Sequence, residues 1–327
     1  MGEIIHKNGK QHATIVGRLS KGYGILSNIT ALIDHIPLGH RWVEIGLELR
    51  QAWLINGLLY NSEVWQKLTE KDMRDLNKID HSLLRSILGS HAKAPIEQLY
   101  LETSSLSLTD TIKIRRLIYL QAILQRPEGE LIRDIYQAMK ADPAQNDWCL
   151  LVQEDMADLN INYTDQEIRI MDQSMYKSIV KENVRNSAFL QFKELQSNHE
   201  KGHNNTHIDL NSPQEYLKTN KLTNKQTSLL FNLRCNTVRG IKANFSNQYY
   251  GDLCRVCLKE QDTQFHLLQC TELRKKIYVG SEVEYNHIYG TLDQQIPITI
   301  LISSLLEERD RLLEGELAYR GNIVQDH

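Results

Sequence analysis

Cys254-Arg-Val-Cys257, with His266 and Cys270 close behind, is where residue types and spacing in this chain most directly specify chemistry. A Cys-x2-Cys pair suits a tight knuckle that aims two sulfurs at one ion. His266 and Cys270 stand one helical turn apart, so a helix over Thr263 to Cys270 would present both on one face. Three thiolates and an imidazole leave no spare coordination position, which describes a closed, structural Zn2+ site and not a catalytic one. The plain alternative, buried thiols beside a surface histidine, treats compatible ligands at compatible spacing as coincidence. So small a unit has little core of its own, and the ion would supply its stability. With 5 cysteines in the chain and three of them packed into 254–270, a reducing, intracellular compartment fits better than a disulfide framework.

Charge is the second clue. The formal net charge is only -3, yet 216–251 holds no Asp or Glu while Lys218, Lys221, Lys225, Arg234, Arg239 and Lys242 all fall there. From Glu282 onward acidic residues dominate. Alone, such a block is equally a solvated helix face; directly before a metal motif it reads as a phosphate-binding surface. Lys113, Arg115 and Arg116 form a further basic cluster, able to grip phosphates or to pair with Glu97 or Glu102. His199-Glu-Lys-Gly-His203 spells the zinc-protease pattern, but Gly202 and Asn204-Asn205 spoil the helix which that motif needs, so it reads as a solvated linker. There is no Walker A loop, no G-x-S-x-G elbow and no Tyr-x-Asp-Asp or similar aspartate pair. Nor does a Pro-Asp with a spaced Glu or Lys follow Cys270, so a restriction-like nuclease site is missing as well as a polymerase one.

Helices must position these groups. A content of 41% hydrophobic and 24% charged residues is that of a folded globular protein. With 6 prolines and 7% aromatics, helices are favoured over a turn-rich all-β design. The expected fold is mainly α: a helical bundle, a short N-terminal strand or hairpin turning at Asn8-Gly9, and a small C-terminal zinc knuckle. Apolar spacing predicts helices over 15–33, 111–125, 129–140, 145–159, 222–238 and 298–313, and one long helix over 164–196 opened by a Thr164/Glu167 capping box. In the run Asn56 to Trp65, the polar Asn56, Asn61 and Glu63 are expected to hydrogen-bond neighbouring helices. The most apolar stretch, Ile296 to Leu306, is far short of the ~20 residues of a membrane span. No secretory signal opens the chain, so a soluble intracellular protein is expected, with no membrane partner. Segments 1–105, 106–212, 213–280 and 281–327 are the expected units, with the polar 199–212 stretch as the main border.

Taken together, these motifs resemble the C-terminal region of non-LTR (LINE-like) retrotransposon polyproteins, the part that follows the reverse-transcriptase palm. Met1-Gly-Glu-Ile-Ile with Thr14-Ile-Val-Gly-Arg18 is similar to the primer-grip segment leading into the thumb. Ile45 to Arg50 and Asn56 to Trp65 resemble thumb helices, and Ile79 to Arg85, Glu97 to Glu102 and Arg115 to Leu120 the helical linker. Leu233-Arg234, Asn244-Phe245 and Thr263 to Cys270 complete the pattern. The resemblance implies a thumb, a linker and a CCHC knuckle that bind template–primer or target RNA or DNA. The family's polymerase aspartates lie upstream of the thumb, so the chain is expected to be a non-catalytic fragment or truncated frame, with the upstream polymerase portion as a possible partner. The rival expectation is a helical protein-interaction scaffold with a purely structural zinc site.

Overall fold

The computed structural model describes residues 12–35, 41–142, 147–197, 211–239, 241, 253–280 and 282–324. The protein is mainly α-helical, as the apolar spacing requires. Among the described residues the only strand-like contact is an isolated antiparallel bridge between Leu253 and Gln261. The hairpin expected at Asn8-Gly9 lies outside the described residues, as does the His199–His203 stretch.

Two units divide the chain: Met1–Ile36, Gly46–Leu84 and Ser105–Leu195 form one, and Pro37–Ile45, Arg85–Ser104 and Gln196–His327 the other. This differs from four consecutive segments. The border near 196 falls close to the polar stretch, but residues 85–104 belong with the C-terminal half. The reason is specific bonding. The Glu102 carbonyl accepts from Gln214 N–H at 3.0 Å, and the Asn232 amide bridges Gly89 O and His91 N–H at 3.1 and 3.0 Å.

In the first unit, α1 (His12–His35) packs on the extension of α2 (Trp42–Leu49), a helix whose first residues belong to the second unit. That extension runs through a π-helical stretch, Arg50–Ile55, into Asn56–Leu58. Gly22 allows the approach, since a Cβ there would lie 2.5 Å from Leu58 Cδ2. The wide π turn carries Arg50 inward, where its guanidinium grips Asp80 of α3 (Glu70–Leu88) at 2.6 and 2.8 Å and donates to Leu106 O at 3.0 Å. Leu54, Leu58, Leu76, Ile79 and Leu83 are fully buried around this pair. A second cluster gathers α5 (Leu108–Leu124), α6 (Leu131–Ala141), α7 (Asp147–Asp158), α8 (Asp165–Ile170) and α9 (Gln173–Ser197) around Leu117, Leu120, Trp148, Ile168 and Tyr176.

The Thr164/Glu167 capping box forms, but the single helix expected over 164–196 is broken. Met171 is extended, and Asp172 Oδ1 accepts from the N–H groups of Ser174 and Met175 at 2.9 and 3.0 Å, so a fresh N-cap starts α9. Asn56 bonds a neighbouring helix as expected, its side-chain oxygen accepting from Arg115 at 2.8 Å, whereas Glu63 takes part through its backbone, its carbonyl accepting from Trp148 Nε1 at 2.8 Å.

The second unit is built on α4 (Ile96–Thr103), α10 (Asn224–Arg234), the short α11 (Gln264–Gln269) and α12 (Thr271–Arg274), and α13 (Leu292–Val324). Phe231, Leu267, Leu273, Ile298 and Ile302 make its core. Expected to begin at Ile298, α13 starts six residues earlier. Thr291 N–H donates to Gln294 Oε1 at 3.0 Å and caps it, and Pro297 costs only one backbone bond near the start.

Candidate metal centre

The knuckle forms from local rules. Cys254 N–H donates to Glu260 O at 2.7 Å and Leu258 N–H to Cys254 O at 2.9 Å, which folds 254–260 into a loop tight enough to hold Leu258 at φ +56°. Thr263 then caps α11 by accepting from His266 N–H at 3.0 Å. The result brings Cys254, Cys257, His266 and Cys270 together, with all four ligand atoms within 4.8 Å of one another. Cys254 and Cys270 Sγ are 4.0 Å apart, and Cys257 Sγ is 3.3 Å from His266 Nε2. A tetrahedral ion ~2.3 Å from sulfur and ~2.0 Å from nitrogen requires edges of roughly 3.8 and 3.5 Å, so this cluster can hold one with small adjustments.

The outer partners favour binding. His266 Nδ1 is 2.9 Å from Glu260 Oε2, which fixes the proton on Nδ1 and leaves the Nε2 lone pair for the ion. Burial pushes the Cys254 thiol up to about 12 against the pull of the Cys257 and Val256 N–H groups. Burial would also raise Cys257, but the N–H groups of Lys259 and Glu260, aided by Cys254 and His266, bring it down to about 7. One ready thiolate and one reluctant one therefore share a site that a cation would reconcile. Glu260 escaped the sequence reading, although a carboxylate inside so short a ligand loop was a usable signal.

The knuckle is not left to the ion alone. Asp262, fully buried, accepts from Arg309 of α13 at 2.9 Å, and Gln264 Nε2 donates to Leu233 O and Tyr285 Oη at 3.1 and 2.6 Å. The expectation that the metal supplies its stability is thereby narrowed: helices α10 and α13 back it.

The expected nucleic-acid residues divide. Lys218, Lys221, Lys225 and Arg239 are exposed. Lys218 donates to Ser212 Oγ at 3.2 Å, and Lys221 reaches Asp293 at 3.8 Å. Lys242 lies outside the described residues. Arg234 is corrected: only 4% exposed, it pairs with the fully buried Glu102 at 2.6 Å and donates to Ile288 O at 2.8 Å. Its guanidinium also lies 5.7 and 5.4 Å from the ring centres of Tyr216 and Tyr289. So placed, it reaches no phosphate. Arg116 is corrected likewise, since it is buried against Asp155. Lys113 pairs with Asp158 at 3.0 Å, and Arg115 donates to Leu59 O and Asn56. None of the three pairs with Glu97 or Glu102, the partners that sequence offered.

Comparison with known proteins finds no match: no protein-family model, no curated protein and no solved structure is similar to the chain.

Proposed function

We propose that this chain binds nucleic acid without catalysing a reaction on it, in the manner of the thumb, linker and knuckle of a non-LTR reverse transcriptase, and that Zn2+ is its structural ion. Three thiolates and one imidazole are the donor set of closed zinc sites, and softness of the ligands favours zinc over magnesium or calcium. The observation that carries the binding reading is the pairing of that closed cluster, in one unit, with exposed Lys218, Lys221, Lys225 and Arg239 on a stretch without carboxylates. Cations on phosphates release counterions, so affinity for a duplex should fall with salt. If three of them touch phosphates, the log–log slope should be roughly -2 to -3, shallower for single strands.

The test is the triple variant Lys221→Glu, Lys225→Glu, Arg239→Glu. It should weaken binding to all sequences alike while zinc content and helicity stay at parent values. Unchanged affinity would remove these residues from the binding surface. The scaffold reading keeps one observation of its own: Leu131 and Ile135 of α6 stand exposed beside an apolar hollow lined by Ile132, Met139 and Trp148. A parent protein that binds no nucleic acid at low salt would put that reading first.

A further inference from the structure

Helix α11 has two working stripes. His266 and Cys270, four residues apart, face the cluster. Phe265, Leu268 and Gln269, at i, i+3 and i+4, line instead a cleft of about 550 Å3 whose other walls include Arg274, Tyr285 and Asn286. That volume lies within the ~300–1,000 Å3 of small-ligand sites. Resting on the nucleic-acid reading above, we infer that this cleft takes one unpaired base of a single strand, stacked on Phe265.

Phe265 is 51% exposed although it belongs to the helix that carries His266 of the cluster. Its ring meets Tyr285 edge to face, with centres 5.9 Å apart and planes at 86°. Tyr285 is itself held by Gln264, whose amide donates to the phenol oxygen at 2.6 Å. The platform is therefore rigid before any ligand arrives, which lowers the entropy lost on binding. Gln269 and Asn286 are exposed amides, each offering a donor and an acceptor of the kind that reads a base edge. Arg274, also exposed, supplies a cation for the adjoining phosphate. Glu284 lines the cleft too; its backbone caps the turn that begins at Tyr285, with N–H donating to His287 Nδ1 at 3.3 Å and the carbonyl accepting from His287 N–H at 3.1 Å. Its exposed carboxylate lies on the solvent side, where Arg274 offsets its charge toward a phosphate. A duplex hides the faces of its bases in the stack, so only an unstacked base presents a π face to Phe265.

The experiment compares a single-stranded thymidine 8-mer with an all-abasic 8-mer that has the same phosphates and no bases. The parent should bind the thymidine strand more tightly. Phe265→Ala should lower that affinity roughly 5- to 150-fold, the effect of losing one stacked base, and leave the abasic strand unchanged. Phe265→Tyr should keep the preference, and zinc content should match the parent in both. Asn286→Trp, on the segment that carries no metal ligand, fills the cleft and should erase the preference even if Phe265→Ala loses metal. Equal parent affinity for the two strands, or a preference that survives Asn286→Trp, overturns the cleft and leaves charge-driven binding standing. A parent that binds neither strand at low salt removes the nucleic-acid reading and this site with it.

Discussion

Arg234→Ala separates two roles open to a cation beside a metal motif. Arg234 is 4% exposed and Glu102 is fully buried, so truncation leaves a carboxylate in the core without its cation. Breaking a buried pair in this way costs about 3–5 kcal/mol. The Ile288 carbonyl also loses a charged donor at 2.8 Å. Against a domain stability of about 5–15 kcal/mol, that loss is a large share. With a dependence of about 2 kcal/mol per molar urea, the midpoint of the metal-bearing unit should fall by roughly 1.5–2.5 M. Urea melts read by circular dichroism, and by zinc release to a chromophoric chelator, would measure it. Lys225→Ala, on an exposed side chain, should stay within about 0.5 kcal/mol of the parent. Removing both charges, as Arg234→Met with Glu102→Leu, should recover much of the loss, because no ion is then stranded. The reasoning is refuted if Arg234→Ala melts like the parent and instead flattens the salt dependence of nucleic-acid binding.

Purified protein should carry one tightly held zinc per chain, and Cys257→Ser should release it; elemental analysis decides, and absence of metal from protein never exposed to chelator ends the zinc assignment. Thiolates and neutral imidazole bind the ion, so protons compete and zinc should be lost as pH falls. Burial holds Cys254 protonated while neighbouring N–H groups draw Cys257 toward its thiolate, so uptake near neutral pH should expel protons from the site. Calorimetry in buffers of different ionisation enthalpy measures the net release, and uptake without any release contradicts the assignment. Gly89→Ala should destabilise by about 1–2 kcal/mol through left-handed backbone alone. A Cβ there would also meet Ser228 Oγ at 2.3 Å, so Ser228→Ala should relieve part of the loss in a thermal melt. On the non-catalytic reading proposed above, the chain supplied with primer, template, nucleotides and magnesium should extend nothing, since its sequence carries no Tyr-x-Asp-Asp or comparable paired aspartate; extension by homogeneous protein would contradict this.

What the sequence disclosed was local. Cys254 through Cys270 span few residues, so spacing alone implied their meeting, and Thr164 with Glu167 announced a helix start. The break at Asp172 was local too, but an aspartate that captures two N–H groups inside an apolar pattern is easily read as one more polar helix residue. Thr223 and Gln226 form a second capping box that places the start of α10 two residues beyond Leu222. Long-range partners were not legible. Nothing near Arg234 marks it as the counter-ion of Glu102, 132 positions earlier, and a basic run looks the same whether its members face water or a buried carboxylate. Composition counts charges; only the fold decides which are already neutralised.

That separation of Glu102 from Arg234 also sets a clock. Chains grow at about 5–20 residues per second, so a gap of 132 residues means that α4 leaves the ribosome about 7 to 26 s before its counterpart. During that interval Leu99, Tyr100, Leu101 and Glu102, all buried in the finished protein, wait without α10 and α13, the later helices of the unit to which they belong. The second unit is therefore obliged to fold late, and its yield in the cell should depend on how well that early helix is shielded during translation as much as on the stability it finally reaches.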